Sequence, residues 1–430
     1  MEQEARQSKK PRGDAYSGLS ALALRLAQQL AGGAGDSDGV GENLVFSPLS
    51  VYAALALVAA GARGATLSEV LDLLGVASRD ELAEFARGVA ERTLADRSGS
   101  GGPLVAFASA VWHDKTVALK PAYRAAAVES YKADTRAADF KNKAEEAIEE
   151  INNWVSKSTN DLIASILPPG SVHSMTSLVL ANAIYFKGRW SEPFAKECTE
   201  DRPFYRLDGS HVRAAFMSSR KDQFVRQYDG FKVLKVPYQM QHPSSRKIHG
   251  RQRRVDGRQD SDDCKNSDQQ GSQFSMCIVL PDTRDGLPDL VGTMANSPSF
   301  LWGHLPVRRV KVGDFRVPRF KLCFSGEISG VLKAMGLETA FDAAEADLSD
   351  MLEGSLPLVV KKVFHKAVIE VNEEGTEAVA ATAVTIVRCC RSLSKPVDFV
   401  ADHPFAFFVV EEVSGAIVFM GHVLDPTRSI

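Results

Sequence analysis

Two thiols stand side by side between two guanidiniums in Arg388-Cys389-Cys390-Arg391. Positive charge on both flanks favours the thiolate, the form that oxidises or is glutathionylated. A redox role and a plain pair of small residues are both open readings at this point. The other cysteines, Cys198, Cys264, Cys277 and Cys323, are scattered, without metal-ligand spacing or a disulfide framework. No phosphate-cradling P-loop, HExxH or CxxC occurs, and the nine histidines are isolated. The chain therefore reads as no enzyme, with neither metal nor cofactor.

What distinguishes the thiols is the segment before them. Residues 376–387 carry one charge, Glu377, among Ala, Val, Thr and a single Ile. Read as strand, Thr376, Ala378, Ala380, Thr382, Val384 and Ile386 share one face, while Glu377 takes the other. Left in water, such a segment is an aggregation hazard, so it needs a sheet to enter. Gly375 lets the chain turn there. Thr376, Ala378, Ala380 and Ala381 are small enough to pass between strands, where a buried charge would be costly. Residues 388–396 read as exposed loop. A loop able to become a strand can store free energy and release it.

Around this loop the sequence must supply the sheet. Strand patterns run over 104–112, 178–186, 231–238, 274–280 and 359–371, and 405–410 with 416–423 reads as a hairpin through Val413-Ser414-Gly415. Helix patterns cover 52–62, 66–74, 123–131 and 145–155. The first is entered through Ser47 as N-cap and Pro48 in the first turn. In the last, Ile148, Ile151 and Trp154 share a face, and Trp154 should anchor that helix over the sheet. Residues 19–30 form an amphipathic pattern. Strands and helices mix without a βαβ rhythm, so the fold class is α+β.

Composition narrows the partners. With 44% hydrophobic and 24% charged residues a sizeable core is feasible, and a net charge of −3 gives no bulk pull toward nucleic acid or membrane. No run approaches the ~20 apolar residues of a membrane span. Scattered cysteines suit a reducing compartment, so the cytoplasm is expected. Lys9-Lys10-Pro11-Arg12 leaves a nuclear destination open, and an extracellular location is the other alternative. Residues 1–14 are a polar tail, and 15–430 read as one domain.

Glu373-Glu374-Gly375-Thr376-Glu377-Ala378 closely resembles the hinge of the serpin reactive-centre loop. Further stretches match in the family's order: Asn43-Leu44-Val45-Phe46-Ser47-Pro48-Leu49-Ser50, then Leu180 through Asn182 to Trp190, then Asp402-His403-Pro404-Phe405, then Gly421 through Pro426. The resemblance is strongest to plant serpins of the cereal Z class. It implies three β-sheets, eight or nine helices and an exposed loop at about 375–400. It makes the polar segment 241–273, basic in its first half and acidic in its second, an insertion read as a solvated loop rather than a polyanion tether. The implied activity is protease inhibition by a suicide substrate, a monomer forming a covalent complex with a serine or cysteine protease. A non-inhibitory binding or storage protein of the same fold is the alternative.

The resemblance also carries residues. The hinge is Glu373, Glu374, Gly375, Thr376, Glu377, Ala378, Val379, Ala380, Ala381 and Thr382. Ser47, Ser50, Asn182 and His365 fall below the opening sheet, where their polar groups could satisfy one another, and Trp190 falls near its top. His365 reads equally well as a core histidine. The family's spacing of fourteen residues beyond Gly375 makes Cys389–Cys390 the reactive bond. Plant relatives often have Leu-Arg ending at this position; here Arg388 comes one residue early, so Arg388–Cys389 is the alternative bond.

Overall fold

The computed structural model describes residues 14–31, 42–239, 273–297, 299–354, 358–375 and 395–428. The expectations for the tail, for 241–272 of the polar segment, and for Thr376 to Thr382, Arg388, Cys389 and Cys390 lie outside the described residues. Nine α-helices and fifteen strands occur among those described, as the α+β reading anticipates. No helix among them is long and apolar enough to cross a membrane.

The strands form three sheets. The five-stranded main sheet runs Phe320–Glu327, Lys362–Val371, Leu178–Lys187, Leu104–Asp114, Asp134–Ala138. Its central pair, Lys362–Val371 beside Leu178–Lys187, is parallel, while each of these strands meets its other neighbour antiparallel. A six-stranded sheet holds the C-terminal hairpin, Phe405–Glu411 with Ala416–Val423, between Leu44–Phe46 and Phe274–Pro281. A four-stranded sheet takes up Val397–Val400, which pairs with Val312–Pro318.

Alternation along Lys362–Val371 divides the core. Val363, Ala367 and Ile369 face the large cluster shared with the six-stranded sheet, whereas Phe364 and Val368 face a smaller cluster under helix Ala144–Ser158. A strand buried on both faces reads as a nearly continuous apolar run, which is why the sequence marks it well. The strand begins at Lys362 rather than at the expected 359, because Val360 donates its N–H to Ala340 instead of to a sheet neighbour. Helix Pro48–Gly61 starts as expected: the Ser47 hydroxyl accepts the Ser50 N–H and Pro48 occupies the first turn.

Candidate functional site: the hinge turn and the central seam

At the end of Lys362–Val371 the chain reverses in two residues. Asn372 and Gly375 exchange backbone hydrogen bonds of 2.8 and 3.3 Å around Glu373 and Glu374. Gly375 is also bridged antiparallel to Arg189, just past the other central strand. It therefore already lies between the two strands, with φ at +140°, and an added Cβ would stand 2.0 Å from the Gly188 carbonyl oxygen. Only glycine fits both the backbone and the space.

The reversal is pinned from one side. Trp190 donates its backbone N–H to Glu374 (2.9 Å) and its indole N–H to the Asn372 carbonyl (2.9 Å), and it stacks on Tyr238 at 4.5 Å. Phe194 N–H reaches the Glu373 carbonyl at 2.8 Å. Both acidic side chains are buried and partnered: Lys196 meets Glu374 at 2.5 Å, and Thr199 donates to Glu373 at 2.7 Å with Arg319 at 3.6 Å. The second Glu374 oxygen is buried without a partner. Lys196, Thr199 and Arg319 carry no sequence signal that links them to residues 373–374. Their partners lie far away in the chain.

Below the turn the seam splays. Pairing of the central strands runs from Lys362↔Val179 to Val368↔Tyr185 and stops. Three levels, from Ile369 to Val371, are left before Gly375 closes the gap at Arg189.

Lower in the seam, His365 pairs with Asn182. The Ser47 N–H donates to His365 Nε2 at 3.0 Å, so the ring proton sits on Nδ1, which lies beside the Asn182 backbone outside ordinary hydrogen-bond geometry. Burial pushes the His365 pKa down to about 3. Asn182 donates to the Ser50 carbonyl at 2.9 Å. The residues expected to satisfy one another do gather, but incompletely: Ser50 Oγ, Asn182 Oδ1 and His365 Nδ1 lack partners. Helix capping engages the Ser47 hydroxyl instead. Three orphaned polar groups on one buried seam are costly, and they mark the place where a further strand would gain most.

The sequence also holds one letter-match to a nucleophile elbow, Gly35-Asp36-Ser37-Asp38-Gly39. It follows helix Asp14–Ala31 and precedes strand Leu44–Phe46, the reverse of the strand-to-helix order that such an elbow needs. No cluster that could hold a metal occurs among the described residues.

The family model for serpins (serine protease inhibitors) matches residues 17–249 and 258–426. The chain belongs to the serpin family. Rice (Oryza sativa subsp. japonica) Serpin-Z2A is 57% identical over 429 residues, covering 96% of this chain and 97% of that protein. Serpin-ZX of Arabidopsis thaliana is 42% identical, covering 89% and 92%. Among solved structures, Arabidopsis AtSerpin1 in its native stressed conformation superposes with a TM-score of 0.83 at 38% identity, covering 97% and 100%. Thyroxine-binding globulin in complex with thyroxine, 22% identical with a TM-score of 0.75, shares the fold. The serpin fold, with its three sheets, is thus the fold of this chain.

Proposed function

We propose that this serpin is a suicide-substrate inhibitor that offers Cys389–Cys390, or Arg388–Cys389, to a serine or cysteine protease. One observation carries the reading: Gly375 is bridged to Arg189 and Asn372, just past the ends of the two central strands, above a gap in a parallel pair. A strand continuing from that turn would run antiparallel to both neighbours, the arrangement that each already makes on its outer side. Counting on from the two bridges would bring Thr382 to the level where His365 faces Asn182. Thr376, Ala378, Ala380 and Thr382 would point into the core, and Glu377 would point out.

In this reading the protease hydroxyl or thiol attacks the carbonyl before the scissile bond. The amide breaks, its nitrogen takes the proton as a new amino terminus, and the enzyme is left as an acyl ester or thioester. Release of the loop lets about fourteen residues enter the seam and moves the bound enzyme by about 45 Å. Distortion of its catalytic geometry then stops hydrolysis. The same reading makes the protein a monomer of the reducing cytoplasm, in keeping with the free thiols of Cys198, Cys277 and Cys323.

Incubation with a panel of serine and cysteine proteases tests this. The expected product is a denaturant-resistant complex plus a C-terminal fragment beginning at Cys390 or Cys389. Cleavage of the loop by every protease, with neither a complex nor a rise in melting temperature, overturns the reading in favour of a binding or storage protein.

A further inference from the structure

Three chain segments meet beside strand Val397–Val400. Val397 donates its N–H to the Lys311 carbonyl at 3.0 Å, and from there the strand runs parallel to Val312–Pro318. One residue earlier, Val310 exchanges backbone hydrogen bonds of 2.8 and 3.0 Å with Gln223. The turn 219–223, the segment 308–311 and the chain at Lys395 therefore form one surface, at one end of the four-stranded sheet.

The charge of this surface is lopsided. Arg220, Lys221, Arg308, Arg309, Lys311 and Lys395 are all exposed. Glu192 takes up Arg309 and, at 3.7 Å, Lys221. Asp314 is paired with Arg316, Asp398 accepts the Asp314 N–H at 2.7 Å, and Asp222 is exposed. Arg220, Arg308, Lys311 and Lys395 have no ion-pair partner among the described residues. Outside the Asp314–Arg316 pair, six cations thus face three carboxylates, Glu192, Asp222 and Asp398, on a chain whose net charge is −3.

This positive pole lies where an attacking enzyme would be held. From Cys390 to Val397 the chain spans at most about 25 Å, against about 50 Å from Gly375 to Cys389. A protease engaged at either proposed bond is tethered more closely to the Val397 end. A folded body of about 220 residues has a radius of about 20 Å. So tethered, it brings its rim over the pole, where charges act across about 10 Å at 0.1 M salt.

We propose that the pole is a docking surface for an acidic rim on the target protease, which it steers to the loop before any bond is cut. This rests on reading Cys389–Cys390 or Arg388–Cys389 as the bond offered to a protease. Charges at the edge of an interface act mainly on the association rate and its salt dependence. Steering of this kind is worth about 10- to 1,000-fold.

Two trypsins of like specificity, one anionic and one cationic, test the docking surface, with loop cleavage and complex formation followed together. At about 0.01 M salt the anionic enzyme should engage the loop about tenfold faster or more. At about 1 M salt, where screening sets in within about 3 Å, the two rates should converge. In Arg220→Gln/Arg308→Gln/Lys311→Gln/Lys395→Gln the anionic trypsin should slow about tenfold while the cationic one speeds up. Loss of stability cannot move the two rates in opposite directions. Arg308→Gln/Lys311→Gln alone should show part of both shifts. Equal rates for the two trypsins, in wild type and variants alike, overturn the inference. Equal rates together with tight binding of polyphosphate to the wild type would assign the pole to a polyanion instead. A loop cut with the expected preference, but without a trapped complex, would leave the docking surface standing and remove the inhibitor reading. A loop that neither trypsin cuts after Arg388 overturns the approach at that bond and this inference with it.

Discussion

The central seam and the C-terminal hairpin are both buried strand pairs, yet they are built to opposite ends. Phe405–Glu411 and Ala416–Val423 pair antiparallel from Phe405↔Val423 to Glu411↔Ala416, and all their residues are buried. Even Glu411 is satisfied, accepting the N–H groups of Gln273, Val413 and Ser414. The seam is mostly buried, with Lys362, Lys366 and Glu370 partly exposed, but its pairing stops at Val368, and Asn182 Oδ1 and His365 Nδ1 in it and Ser50 Oγ beside it have no partner. Burial alone does not commit a strand pair. On the proposed function, the incomplete pairing of the seam is what would admit another strand.

The sharpest way to break this contrast is to block the waiting side. Thr376→Arg should abolish protease trapping while leaving loop cleavage intact, because entry would begin by burying a charge. Undiminished complex formation on denaturing gels counts against the seam as the destination. Cleaving the wild-type loop should raise the melting temperature by about 20 °C or more, as a new strand buries its surface and pairs both edges. Identical scanning-calorimetry traces for cut and intact protein would erase the difference between the two regions. Phe407→Ala, by contrast, should cost about 3–5 kcal/mol in intact and cleaved forms alike, read by denaturant titration. Unequal costs would mean that the hairpin shares in the transition.

Each region also carries one buried histidine. Burial holds His365 in the seam down to about 3 and His422 in the hairpin down to about 4. An unfolded histidine titrates near 6.5, so the unfolded chain takes up protons first as pH falls. The stability contribution is complete above that pH and is lost progressively down to the folded values. At pH 5 the loss is about 2 kcal/mol for each group. Replacing His365 with Gln should flatten the acid limb by about half, measured as denaturation midpoint against pH; an unchanged slope would assign the acid sensitivity elsewhere. The smallest effect belongs to Lys196→Met. Its side chain is 60% exposed, so the lost pair with Glu374 should leave the denaturation midpoint almost unchanged. Faster amide exchange at the Trp190 N–H would be its clearest trace.

Much of this was legible. Ser47-Pro48 announced its helix, alternating apolar runs announced the buried strands, and the family's motifs pointed to Trp190, Asn182 and His365. Helix Arg79–Arg92 is not among the expected helices, although the Ser78 hydroxyl caps it by accepting the Glu81 N–H. Three things were not legible, each for the same physical reason. The burial of Glu373 and Glu374 depends on Lys196, Thr199 and Arg319, remote in the chain. The parallel pairing of the central strands has no local periodicity that distinguishes it from antiparallel pairing. Asn152, a polar residue on an amphipathic helix, reads as solvated until Ile166 and Leu167 fold back and donate their N–H groups to its Oδ1.

The position of the hairpin strand Ala416–Val423 inside its sheet bears on how the molecule is made. This strand is wedged between Leu44–Phe46 and Phe405–Glu411, so the second sheet cannot be completed until residue 423 has been translated. At about 5–20 residues per second, the ribosome needs roughly one to five seconds to add the hairpin after the main sheet and the loop have emerged. On the proposed function, the nascent chain would carry an open seam and a segment able to enter it before the partner sheet is finished, so the finished fold would have to be reached ahead of self-insertion.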